Sequence, residues 1–220
     1  MRRLDCPATP APPPGPNERL TVSTAPRTPT RDLALIAVFA GVVAALGLVP
    51  AFTPPGFSVP ITAQSLGVML AGAVLGARRG ALSLVLLLVL VAVGLPLLAG
   101  GRGGLGQFVG PSGGFLVGWP VAAFVTGWLT ERGGAPYKLV WGFMANVVGG
   151  IVVLYLFGIV GLAISLHLSL AAATTACWIY IPGDLVKAVL AALVARGVHA
   201  AYPGLIRTRA AQREKADAAA

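Results

Sequence analysis

Trp178-Ile-Tyr-Ile-Pro182-Gly-Asp184-Leu-Val-Lys187 opens the last long apolar run of the chain. Pro182 suits a helix start, where its missing N–H has no intrahelical partner to lose. Asp184 and Lys187 are separated by three positions, which puts both side chains on one helical face. The run continues Ala-Val-Leu-Ala-Ala-Leu-Val-Ala to Arg196, long enough to enter a bilayer. A charged side chain at the bilayer centre costs about 2.5–3.5 kcal/mol on insertion scales. Asp184 lies roughly 5 Å below the start of its helix, at about 1.5 Å per residue. Its cost is therefore lower, yet it still requires water or a partner. An ionisable pair so placed is read first as a functional site.

The composition agrees with a membrane setting. Hydrophobic residues make up 56% of the chain and charged residues only 10%. That excludes an ordinary soluble domain and points to an all-α integral membrane protein with several spans. With 220 residues the chain holds about five to seven helices of roughly 20 residues each. The net charge of +9 would suggest nucleic acid if it covered one globular face. Here the basic residues gather in the tails and at the ends of apolar runs, as the positive-inside rule expects, so nucleic acid is not a partner. Cys6 and Cys177 fall in a tail and near the opposite membrane face, so neither a disulfide nor a metal site is expected.

The charges organise the chain. Residues 1–30 are rich in Pro and Thr, lack the apolar core of a secretory signal, and read as a disordered cytoplasmic tail. Arg31-Asp32 borders a first span at about 33–50. A second span at about 61–77 stops at Arg78-Arg79, and a third covers about 80–98. A fourth, about 115–130, ends at Glu131-Arg132. A fifth runs from Lys138 to about 163, and a sixth covers about 181–199. Residues 164–179, uncharged and containing His167, are expected to form an outer loop with some helix. A further span there would put the basic segment 201–220 on the wrong side. With six spans and both termini cytoplasmic, the inner loops hold Arg78, Arg79, Arg132 and Lys138. The outer loops hold Arg102 and no acid. Only Arg102, Asp184 and Lys187 are then charged in the outer half, and the three are free to share one outward-facing cavity.

The remaining motifs divide into chemistry and packing. Gly101-Arg-Gly103-Gly-Leu-Gly106 spells a dinucleotide fingerprint, but no strand precedes it and no acid follows at the required distance. Its glycines instead suit backbone folded back into a cavity. No P-loop is present, and no His, Glu or Cys cluster suggests a metal. Gln64 lies near an outer helix end and is a candidate ligand contact, whereas Asn146 is expected to bridge helices. Tyr180 and Phe115 are candidates to stack on a ligand ring. Trp128, Trp141 and Trp178 read as interfacial anchors in membrane lipid. Ala37, Ala40, Gly41 and Ala44 are small residues at four-residue spacing, suited to close packing within the chain or against another membrane subunit. An intramembrane enzyme using Asp184 and Lys187 as acid and base lacks a nucleophile or a metal.

Several stretches occur together and in order: Val59-Pro-Ile-Thr-Ala-Gln-Ser-Leu-Gly-Val-Met-Leu-Ala-Gly, Leu75-Gly-Ala-Arg-Arg-Gly-Ala-Leu, Val93-Gly-Leu-Pro, Gly110-Pro-Ser-Gly-Gly-Phe-Leu-Val-Gly and Ile181-Pro-Gly-Asp184-Leu-Val-Lys187. Over about 31–200 the chain resembles the BioY family, the biotin-binding S components of energy-coupling factor (ECF) transporters. The family's Gly-Pro-Thr-Gly-Gly-Tyr reads Gly-Pro-Ser112-Gly-Gly-Phe115 here, keeping the hydroxyl and losing the phenol. The resemblance implies a six-transmembrane-helix S-component bundle in the cytoplasmic membrane that holds biotin near its outer face. It implies association through the first helix with a transmembrane coupling subunit that carries a pair of ATPases. ATP is then used by those partners alone, with delivery by toppling in the membrane. On this view Asp184 accepts from the ureido N–H groups of biotin, Lys187 donates to the ligand, and Arg102 pairs with its carboxylate.

Overall fold

A computed structural model describes residues 29–202, 204 and 205. The tails expected at 1–30 and 201–220 lie almost wholly outside the described residues. The described chain is helical: α1 (Pro29–Leu46), α2 (Gln64–Leu75), α3 (Ala77–Ala92), the short α4 (Gly106–Val109) and α5 (Gly113–Gly133) come first. Then α6 (Leu139–Val147), a π turn (Val148–Val153) and α7 (Leu154–Leu166) form one continuous rod, Leu139–Leu166. Finally α8 (Leu170–Cys177), a single 3-10 turn (Trp178–Tyr180) and α9 (Ile181–Ala201) form another, Leu170–Ala201. Among the described residues there is no strand, only the isolated bridges Phe52–Ile61 and Leu98–Arg102.

Gly113–Gly133, Leu139–Leu166 and Leu170–Ala201 are each long and apolar enough to cross a membrane. Their outward faces carry exposed Val121, Phe124, Val152, Leu156, Val160, Val189 and Leu193. Water would not tolerate so many large apolar side chains on one surface, and lipid does. The shorter α2 rises only about 18 Å at 1.5 Å per residue, less than the ~30 Å hydrocarbon core. The second run was expected to fill 61–77, and the third 80–98. The missing depth is filled by irregular chain at 47–63 and 93–105. Such backbone survives at membrane depth where protein covers it or a cavity adjoins it.

Successive helices alternate between two ends. Asp32 at the start of α1 pairs with Arg79 at the start of α3 at 3.0 Å. Glu131 at the end of α5 accepts from the Ala77 N–H at 3.0 Å, placing an acid at the positive end of α3. Gly76, the single residue linking α2 to α3, has φ +84°, and a Cβ there would strike that Glu131 carboxylate. His199 near the end of α9 bonds the Ala73 carbonyl at 2.9 Å. Arg78, Arg79, Glu131, Arg132 and Lys138 therefore share one end. Loops 47–63 and 93–112 and the start of α9 share the other.

The central helix is α5, packed against α2, α3, α6, the π turn and α7. Its small residues make the approaches close: a Cβ on Gly114 would meet Gly161 of α7, and one on Gly127 would meet the Gly76–Ala77 link. Asn146 of α6 donates to the Ala188 carbonyl of α9 at 3.1 Å, the helix–helix bond anticipated for it.

Two expectations need correction. The outer loop expected at 164–179 is mostly helix. The rod ends at Leu166, His167 turns the chain with φ 53°, and Ser169 caps α8 by accepting from Ala172 N–H at 3.2 Å. Residues 170–177 contain no glycine or proline, and the 3-10 turn absorbs Pro182 at the start of α9, so nothing interrupts the helix. The four small residues of α1 do not form one outward face. Ala37 and Gly41 are exposed, but Ala40 is buried in the core and Ala44 packs against it. Ala40 is therefore unavailable to a partner; its small size brings α1 against the bundle.

Candidate functional site

The site lies at the end opposite the basic cluster. Three separate stretches build it: the start of α9 with Tyr180, the start of α2 with its preceding loop, and the Gly-rich segment leading into α5. The rod of α7 closes the fourth side. Together they enclose a cavity of about 670 Å³ including its mouth. Asp184, Lys187, Arg102, Gln64, Phe115 and Tyr180 all line it.

Asp184 is buried and held from two directions. Its Oδ1 accepts from Lys187 Nζ at 2.9 Å and from Ser65 Oγ at 3.3 Å, and its Oδ2 accepts from Tyr155 Oη at 2.8 Å. Lys187 also donates to Ser65 Oγ at 3.0 Å. An ammonium has three donors, so one remains to face the cavity. This ion pair joins α9 to α2 through Ser65 and to α7 through Tyr155. A buried carboxylate and a part-buried ammonium persist here because each is paired and hydrogen-bonded.

Arg102 stands across the cavity. Its backbone closes the Leu98–Arg102 bridge, and its Nε donates to the Ala99 carbonyl at 2.9 Å. That contact fixes the root of the guanidinium and leaves its terminal nitrogens without an acidic partner among the described residues. Gln64 is buried, and its amide is committed to backbone. Nε2 donates to Val43 O at 3.2 Å and Leu97 O at 3.0 Å, while Oε1 accepts from Ala99 N at 2.9 Å. It ties α1, α2 and the 97–99 loop into a rim.

Aromatic rings form the walls. Tyr180 donates its hydroxyl to Val59 O at 2.7 Å and meets Phe57 edge-to-face at 6.3 Å. Phe115 meets Tyr155 edge-to-face at 6.1 Å and lies over Gly158, where any Cβ would strike its ring. Among the lining residues that the sequence does not single out are Ser65, Trp119 and Tyr155. Tyr155 had one available signal. It is a tyrosine in the middle of an apolar run rather than at an interface. Ser65 is a short polar residue beside Gln64, and its partners lie more than a hundred positions away.

The cavity therefore offers a paired acid and base, a separate guanidinium, and rings and aliphatic side chains between them. It suits a small molecule with hydrogen-bond donors at one end, an apolar body and an anionic group. Residues 18–204 match the BioY family. The chain belongs to the BioY family. It is 53% identical over 179 residues to the biotin transporter BioY of Rhizobium etli, covering 79% of this chain and 96% of that relative. It is 52% identical over 189 residues to the biotin transporter BioY of Rhodobacter capsulatus, covering 81% and 98%. A solved structure of the S-component for biotin from an ECF-type ABC transporter superposes with a TM-score of 0.74 at 28% identity, covering 77% of this chain and 91% of that one. Members of the BioY family are transport proteins.

Proposed function

We propose that this chain binds biotin in the cavity beside Asp184 and carries it across the cytoplasmic membrane as the S component of an ECF-type importer. The observation that carries the reading is the ion pair of buried Asp184 with part-buried Lys187, fixed at one end of a small, largely apolar cavity with Arg102 at its rim. Biotin presents two ureido N–H donors, a carbonyl, an apolar fused ring and chain, and a carboxylate. Asp184 accepts from a ureido N–H, and Lys187 donates its remaining proton to the ligand. Arg102 pairs with the carboxylate, while Phe115 and Tyr180 cover the ring and chain. Gln64 shapes the rim.

The helices α1, α2, α3 and α5, with the two long rods, supply six spans. The clustering of Arg78, Arg79, Arg132 and Lys138 supports a cytoplasmic basic end, with both termini on that side. The cavity then opens outward. The exposed Ala37–Gly41 face of α1 offers a close-packing surface to a coupling subunit, whose ATPase pair supplies the energy.

Titration of the detergent-purified protein with biotin, desthiobiotin and thiamine tests the ligand. Biotin is expected to saturate it and thiamine to leave it unchanged; the reverse order would assign another vitamin. Radiolabelled biotin uptake in transport-deficient cells, with and without coupling subunits, tests the partner.

A further inference from the structure

Asp184 Oδ2 receives its hydrogen bond from α7. Tyr155 stands in the first turn of α7, directly after the π turn, and its hydroxyl reaches Oδ2 at 2.8 Å, the shortest bond this carboxylate makes. Tyr155 is buried, and a buried phenol is costly unless its hydroxyl is used. The ring itself is held separately, by the edge of Phe115 above Gly158. A carboxylate offers about four lone-pair sites, two per oxygen. Lys187 and Ser65 fill those of Oδ1, and Tyr155 fills one of Oδ2. A single acceptor site remains, and the Tyr155 bond fixes the direction in which it points.

We propose that Tyr155 is a positioning residue for ligand recognition: its phenol aims the last free acceptor site of Asp184 at an N–H donor of the ligand ring. This rests on the biotin reading. Ring recognition then depends on a bond between α7 and α9 as well as on the charged pair within α9.

Tyr155→Phe keeps the ring, its contact with Phe115 and the shape of the cavity, and removes only the hydroxyl. Loss of one hydrogen bond to a charged group predicts about tenfold weaker biotin binding. Two measurements on the full-length purified protein test it. The first is a biotin titration of wild type and Tyr155→Phe. The second is the infrared carboxylate band of Asp184, assigned by its disappearance in Asp184→Asn and followed with and without biotin. A weaker affinity together with a shifted Asp184 band in the ligand-free variant is the expected result. Unchanged affinity overturns the proposal, as does weakened affinity with an unmoved band, which would make Tyr155 a packing residue only. A wild-type protein that takes up no biotin overturns the biotin reading itself and the recognition role with it.

Discussion

At the scale of single residues, the cavity depends on charges that cannot be removed one at a time. Asp184→Asn leaves the part-buried Lys187 ammonium without its counter-charge; stranding one member of a fully buried pair costs about 3–5 kcal/mol, and this partly exposed one costs less. The variant should unfold at a lower temperature and lose at least about 100-fold in biotin affinity, since charged hydrogen bonds contribute about 1.5–3 kcal/mol each. Adding Lys187→Met removes the stranded charge. The double variant should recover much of the stability and none of the binding. Thermal unfolding and biotin titration of the three proteins check this; unchanged affinity in Asp184→Asn removes the residue from the site. Gln64 behaves differently because its amide serves backbone. Gln64→Leu strands Val43 O, Leu97 O and Ala99 N. Stability should fall by at least about 3 kcal/mol, at about 1–3 kcal/mol for each stranded group. Biotin affinity should suffer less than in Asp184→Asn. At this scale the sequence was informative where chemistry is written in one short segment, as at Asp184 and Lys187. It was silent on Ser65 and Trp119, whose roles exist only once α2, α5 and α9 meet.

At the scale of elements, the crossing of α5 and α7 sets the cavity wall. Gly114 faces Gly161 backbone to backbone, Gly118 faces Phe157, and Gly158 receives the ring of Phe115. Gly158→Ala places a methyl where that ring lies. Overpacking of this kind costs about 1–3 kcal/mol, and the ring can move only toward the cavity or away from α7. Biotin affinity should fall, and Phe115→Leu in the same chain should restore part of it by vacating the space. Titrations of the two single variants and the double variant check the coupling; additive losses would mean that Phe115 does not transmit the clash. The existence of most elements was readable from apolar runs and charged borders, but their phases and some ends were not. Small residues on α1 repeat at 37, 41 and at 40, 44, two adjacent stripes, and no pattern in one helix says which stripe looks out. The 164–179 segment read as an outer loop with some helix because of Ser, Thr and His167. Yet those residues cap and cover a helix, with Ser169 at its start and Thr174 and Thr175 bonded back to Leu170 O and Ala172 O.

At the scale of the whole molecule, orientation follows from where the charges lie, and it decides whether the cavity faces the supply of vitamin. The described structure segregates Arg78, Arg79, Arg132 and Lys138 to the end away from Arg102, Asp184 and Lys187. Moving a basic end across a bilayer during insertion is disfavoured, and on the proposed orientation the basic end stays in the cytoplasm. Leu105, 71% exposed in the segment beside the cavity, and Lys138, exposed at the other end, are suitable reporters. In a chain with Cys6→Ser and Cys177→Ala, Leu105→Cys should react with a membrane-impermeant maleimide on intact cells. Lys138→Cys should react only after the cells are opened. Retained biotin uptake by each variant ensures that the labelled protein is folded. The opposite labelling pattern would turn the cavity toward the cytoplasm. The Asp184–Lys187 pair would then release biotin where uptake requires it to capture, and an import role could not stand on this site.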